Sequence, residues 1–178
     1  MKRVLFINTH LGSGSIHLVS ALTSNREVQK FRGYAPFNHP DDLQKLTEQR
    51  HKCDNAASIY LHELTDNTQW VRKPVRDVCQ FIHLIREPRS TLSDTCGTRK
   101  PQDVLNEYCF RLHGISEMAK RTPDSLAFDV SNIDVEAIEE RFNISVKYKP
   151  PTGKDSFPED LCKIAEVAYE KCFKSLGL

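Results

Sequence analysis

Two short stretches carry residue types whose spacing could do chemistry. The first, Leu11-Gly12-Ser13-Gly14-Ser15-Ile16-His17, follows the apolar run Val4-Leu5-Phe6-Ile7 and precedes apolar residues at helical spacing. Glycines let the main chain turn tightly and let another group approach it closely. A helix opening at Ser15 would aim unpaired N–H groups and its positive dipole end into that turn, which suits an anion and a phosphate above all. The plainer alternative is that Gly12 and Gly14 only make a strand-to-helix turn. The second stretch is Phe81-Ile82-His83-Leu84-Ile85-Arg86-Glu87-Pro88-Arg89. An apolar strand running into Arg86, with Pro88 at the first helical position, sets a guanidinium beside a helix N-terminus. There it can grip a phosphate with two parallel N–H bonds. An isolated Arg would more simply pair with a carboxylate.

These residues need elements to hold them. Val4 to Ile7 is apolar without alternation, as in a strand buried on both faces of a parallel sheet, and a helix is expected over residues 15–24. Phe31 to Tyr34 is a short strand candidate. Pro40 with Asp41 and Asp42 opens a helix reaching about Gln49. Ala56 to Glu63 is a further strand ending in the titratable pair His62 and Glu63. A helix over residues 69–79 is expected to bend at Pro74. Apolar residues at 104, 105, 108, 109, 112, 115, 118 and 119 predict a long amphipathic helix over residues 101–120.

Residues 125–130 read as a strand, and Ser131 or Asn132 would cap a helix over residues 134–142. Ile144 to Tyr148 reads as a last short strand and residues 149–154 as a loop. Ser156 and Glu159 have capping-box spacing for a final helix that Gly177 ends. Strands alternating with helices define an α/β sandwich around a mostly parallel sheet, whose ligands gather at the carboxyl ends of the strands. The loop over residues 12–15, His62 with Glu63, and Arg86 all fall just past such ends.

The chain has 178 residues, the size of one domain, read here as a single unit over residues 1–178. Its 25 basic and 24 acidic residues nearly balance, which argues against a general nucleic-acid coat. The six cysteines form no CxxC pair, so zinc spacing is absent. They read as reduced core residues of a cytoplasmic protein. The first strand begins at once, leaving no room for a signal peptide, and no apolar stretch reaches membrane-spanning length.

Together the two motifs resemble the sulfotransferases that use 3′-phosphoadenosine 5′-phosphosulfate (PAPS). In that family a basic-Ser-Gly loop after the first strand holds the 5′-phosphosulfate, and Arg-Asp-Pro-Arg followed by a Ser holds the 3′-phosphate. Ser13-Gly14-Ser15 and Arg86-Glu87-Pro88-Arg89 match these segments, and Leu126 to Ile133 is similar to a later strand and turn. The resemblance implies a P-loop-type three-layer sandwich, PAPS as co-substrate, and sulfuryl transfer to a hydroxyl or amine without a metal. It implies nucleotide contacts from Gly12, Ser13, Gly14, Ser15, Ile16, His17, Arg86 and Ser93, and a catalytic base at His62 or Glu63.

The chain departs from the family in three ways. Gly12 stands where the family has a basic residue. Asp94 stands eight residues after Arg86, where the family has its phosphate-binding Ser, so the role passes to Ser93, one short. The chain is also short for the family. His17 could supply a substitute cation or pack against the sheet, and a lysine placed at Gly12 would raise turnover unless that glycine has a positive φ. Lys147, Lys149 and Lys154 sit where the family adds a basic segment to the 3′-phosphate, and the alternative is a solvated lysine face. Two other readings stay open: a nucleotide-binding relic without chemistry, which Gly12 favours, and a P-loop kinase. The second lacks the GxxxxGK[ST] lysine and the magnesium-holding hydroxyl.

Overall fold

The computed structural model describes residues 3–30, 58–64, 72–153 and 156–178. Strand β1 (Arg3–Asn8) leads through the Gly/Ser loop into helix α1 (Ser15–Thr23) and the short strand β2 (Val28–Lys30). Strand β3 (Ile59–Leu64), helix α2 (Lys73–Arg76) and strand β4 (Gln80–Ile85) follow. Helices α3 (Pro88–Cys96) and α4 (Pro101–Lys120), strand β5 (Leu126–Asp129) and helices α5 (Val135–Phe142) and α6 (Glu159–Leu176) complete the order.

The five strands form one sheet in the order β2-β3-β1-β4-β5, and every pairing is parallel. This is the expected α/β sandwich with a parallel sheet between helices. After β1 the chain forms β2 at the edge and β3 between β2 and β1, then crosses to place β4 on the other side of β1. That reversal opens a crevice at the carboxyl end of β1.

Strand alternation sorts the core into two faces. Leu5, Ile7, Leu61, Ile82 and Leu84 pack against Leu18 and Leu22 of α1 and Ile138 and Phe142 of α5. Val4, Phe6, Tyr60 and Phe81 face the other way, onto Val75 and Met118. A third cluster joins Ile85 and Leu92 to α4 and α6 through Leu105, Leu112, Ile115, Cys162 and Ala165. Both faces of β1 are therefore dry, as its unbroken apolar run requires.

Several boundaries differ from expectation for identifiable reasons. Residues 144–148 form no strand, although Ile144 and Val146 are buried. Their backbone is tied to side chains: Glu139 accepts from the Val146 N–H at 2.6 Å, and Asn25 donates to the Ser145 carbonyl at 2.8 Å. Alternating burial reproduces the strand pattern without a ladder. Helix α5 is capped by Asp134, which accepts from the Ala137 N–H at 2.9 Å, and not by Ser131 or Asn132.

The Ser156 capping box does not form either. Pro158 is the N-cap of α6 without a side-chain bond, and the Ser156 N–H donates to Ser93 Oγ at 3.0 Å. Pro74 starts α2 rather than bending a longer helix. Strand β2 carries no long apolar run and was not expected. The candidates at Phe31 to Tyr34 and Pro40 to Gln49 lie outside the described residues, as do residues 69–71 of the helix expected before Cys79.

Candidate anion-binding site at the end of the central strands

The loop between β1 and α1 is built on two left-handed glycines, Gly12 (φ 74°) and Gly14 (φ 79°). Helix α1 starts at Gly14 with no side-chain cap and no acidic residue in its first turn, so its positive end faces the crevice uncompensated from within the helix. Ser13 braces the loop. Its Oγ accepts from Thr9 Oγ1 at 2.6 Å and from the Ser15 N–H at 3.2 Å. Ile16 is 63% exposed and His17 is exposed too, so His17 does not pack against the sheet.

Arg86 stands at the end of β4 and touches this loop directly. Its Nη1 donates to the Gly12 carbonyl at 2.9 Å and to Asp94 Oδ2 at 2.8 Å, with the Arg86 side chain only 6% exposed. The backbone is fixed as well. The Arg86 N–H donates to His10 Nε2 at 3.1 Å, and its carbonyl accepts from the Tyr108 hydroxyl at 2.8 Å. His10 must then be neutral, with Nδ1 donating to the Leu11 carbonyl at 3.1 Å. Burial, the largest influence, lowers its pKa from 6.5 to about 4.

The two helix N-termini at this crevice differ in kind. That of α1 has no acidic residue in its own first turn and meets the Glu63 carboxylate from β3 at the Ser15 hydroxyl, whereas that of α3 is capped by Glu87, which accepts from the Ser90 N–H at 3.0 Å. Ser93 accepts from the Ser156 N–H. Pro151 lies over the loop, 2.6 Å from where a Cβ on Gly14 would sit. Gly153 lies against Ser90 and Arg86, with Arg86 Nη2 2.8 Å from the place of a Gly153 Cβ. Lys147 and Lys149 are exposed, and Lys154 lies outside the described residues.

Of the two base candidates, Glu63 is joined to the loop. It accepts from the Ser15 hydroxyl and, at 2.9 Å, from Lys30 Nζ. His62 points to the opposite face of β3, edge-on to Phe6 with ring centroids 5.9 Å apart. One residue of offset on a strand separates the pair.

Residues that sequence reasoning missed surround this arrangement. Lys30 reaches Glu63 from β2, and His10 pins Arg86. Asp129, at the end of β5, accepts from Ser131 and from the Tyr169 hydroxyl at 2.6 Å, tying α6 to the sheet. His83 is buried between Asn8 (3.0 Å) and Thr122 (2.9 Å), and burial lowers its pKa to about 4. Only the position of Asp94 was visible beforehand, not its partner. The Cys79 thiol is pushed up to about 12 by burial, which suits a packing role rather than a nucleophile. Among the described residues no cluster of His, Cys, Asp or Glu could hold a metal, and no helix is long and apolar enough to cross a membrane.

No protein-family model matches the chain, and no curated protein matches it. Solved structures do, and they define the fold as that of the sulfotransferases. A sulfotransferase from Alicyclobacillus acidocaldarius superposes with a TM-score of 0.58 at 10% identity, over 99% of this chain and 94% of that one. Mouse sulfotransferase SULT7A1, complexed with 3′,5′-adenosine bisphosphate (PAP), gives 0.51 at 14% identity over 98% and 67%. Retinol dehydratase in a complex with retinol and PAP gives 0.50 at 10% identity over 100% and 83%.

Proposed function

We propose that this protein is a sulfotransferase-like enzyme that takes PAPS and transfers its sulfuryl group to a hydroxyl or amine. The observation that carries the reading is the direct bond between Arg86 and the Gly12 carbonyl, which makes two anion-binding features one unit. The Gly14 and Ser15 end of α1 would receive the 5′-phosphosulfate, and Arg86 the 3′-phosphate. Glu63 would take the acceptor proton as the acceptor oxygen or nitrogen bonds to sulfur. The bridging S–O bond then breaks and its electron pair stays on the 5′-phosphate of PAP. Charge develops on that oxygen, and the loop N–H groups with the α1 dipole would stabilise it. Lys30 Nζ lies 2.9 Å from Glu63 Oε2 and would help orient that carboxylate.

The test is a melting experiment followed by turnover. PAP at one hundred times its dissociation constant should add about 2.7 kcal/mol, a rise of roughly 5–10 °C for a chain of this size. AMP, lacking the 3′-phosphate, should add much less at the same concentration. Equal shifts would remove the 3′-phosphate site from the proposal. A second reading, nucleotide binding without chemistry, is favoured by Gly12 in place of the family's cation. PAP binding without transfer to a broad acceptor panel would select it.

A further inference from the structure

Arg86, the residue that would hold the 3′-phosphate, already holds an anion of the chain's own. Asp94 Oδ2 lies 2.8 Å from its Nη1. About two turns earlier, Glu87 fills the N-terminus of α3 by accepting from the Ser90 N–H. The 3′ side of the crevice thus carries two internal carboxylates, whereas the α1 side carries one, Glu63, which is itself paired with Lys30. Gly153 adds a steric boundary, since it lies against both Ser90 and Arg86.

We propose that Asp94 is a specificity-determining residue: an internal competitor that the 3′-phosphate must displace from Arg86, so that it narrows the preference for 3′-phosphorylated nucleotides over those with a free 3′-hydroxyl. The inference rests on the nucleotide reading given above. Its physical basis is simple. A guanidinium paired with a carboxylate has lost much of its field for a second anion, and a carboxylate left beside a bound phosphate repels it. The Asp94 side chain is 30% exposed, so it can swing toward solvent when displaced. A nucleotide with a free 3′-hydroxyl has no need to dislodge it.

The experiment measures affinities of PAP and AMP for the wild type, Asp94→Asn and Asp94→Ser by calorimetry, with each melt recorded to verify folding. Asparagine keeps the size and one acceptor while removing the charge, so it guards against a folding defect in the serine variant. The ratio of PAP to AMP affinity should rise at least tenfold in both variants, and Arg86→Ala added to Asp94→Ser should abolish the rise. An unchanged ratio in folded variants overturns the role of Asp94 and leaves the nucleotide site standing. Absence of binding by either nucleotide to all of the proteins overturns the nucleotide reading and this inference together.

Discussion

Arg86 is held at both backbone and side chain, and this sets what its removal should do. Arg86→Ala deletes charge-assisted bonds to the Gly12 carbonyl and Asp94, each of a kind worth roughly 1.5–3 kcal/mol. Because His10 and Tyr108 bind the Arg86 backbone, they survive the substitution. The variant should keep a cooperative melt at lower temperature and lose at least tenfold in PAP affinity. A lost cooperative transition would make Arg86 a structural residue instead.

His10 and His83 supply a prediction in pH. Both are neutral in the fold, with pKa values lowered by burial from 6.5 to about 4. The unfolded chain takes up their protons below pH 6.5 while the folded chain does not. Their stabilisation is therefore complete above pH 6.5 and is lost as pH falls toward 4. Near pH 5 each should contribute a slope approaching 1.4 kcal/mol per pH unit, on the order of 3 kcal/mol over the whole window. Urea unfolding at pH 7, 6 and 5 measures this, and a flat profile would contradict the buried neutral state of both rings.

At the scale of elements, the β1–α1 loop explains why a cation cannot be restored simply at Gly12. A Cβ there would lie 3.0 Å from the Thr91 carbonyl, run into the Thr95 methyl, and require a left-handed φ. Gly12→Ala should cost about 1–3 kcal/mol, visible as a lower urea midpoint. Gly12→Lys would suffer the same strain, so a turnover gain in that variant is no longer expected.

The loop was legible in the sequence because glycine, serine and an apolar strand each leave a local signal. Helix α4 was legible because twenty residues of amphipathic periodicity outweigh any local ambiguity. What stayed hidden depends on partners distant in sequence. His10 has no pattern of its own and gains its role only because β4 lies beside β1, bringing Arg86 to it across 76 positions. Residues 144–148 misled for the converse reason, a strand-like alternation whose backbone partners are side chains. Asp94 could be placed, but its ion pair with Arg86, only eight residues away, depends on how α3 turns back from the end of β4, which the sequence pattern does not specify.

Taken whole, the molecule has its strongest pairing at the centre. β1 is bonded on both sides, while β2 is a three-residue edge strand. Amide exchange should be slowest in β1 and β4 and fastest, among the strands, in β2. Comparable protection across all five strands would argue that the sheet opens only as a unit.

The same topology dictates an order of events as the chain is made. Leu5 must wait for Leu61 on one side and Gln80 on the other, so β1 is synthesised well before either of its partners. Such distant closures slow folding, because the loops must be ordered before their contacts give any return. Arg86 follows β4 immediately, which means that the amino-terminal glycine loop has no guanidinium to receive until the middle of the chain has emerged. An interrupted synthesis that stops short of β4 would therefore leave β1 apolar, unpaired on that side and exposed to chaperones or to other chains.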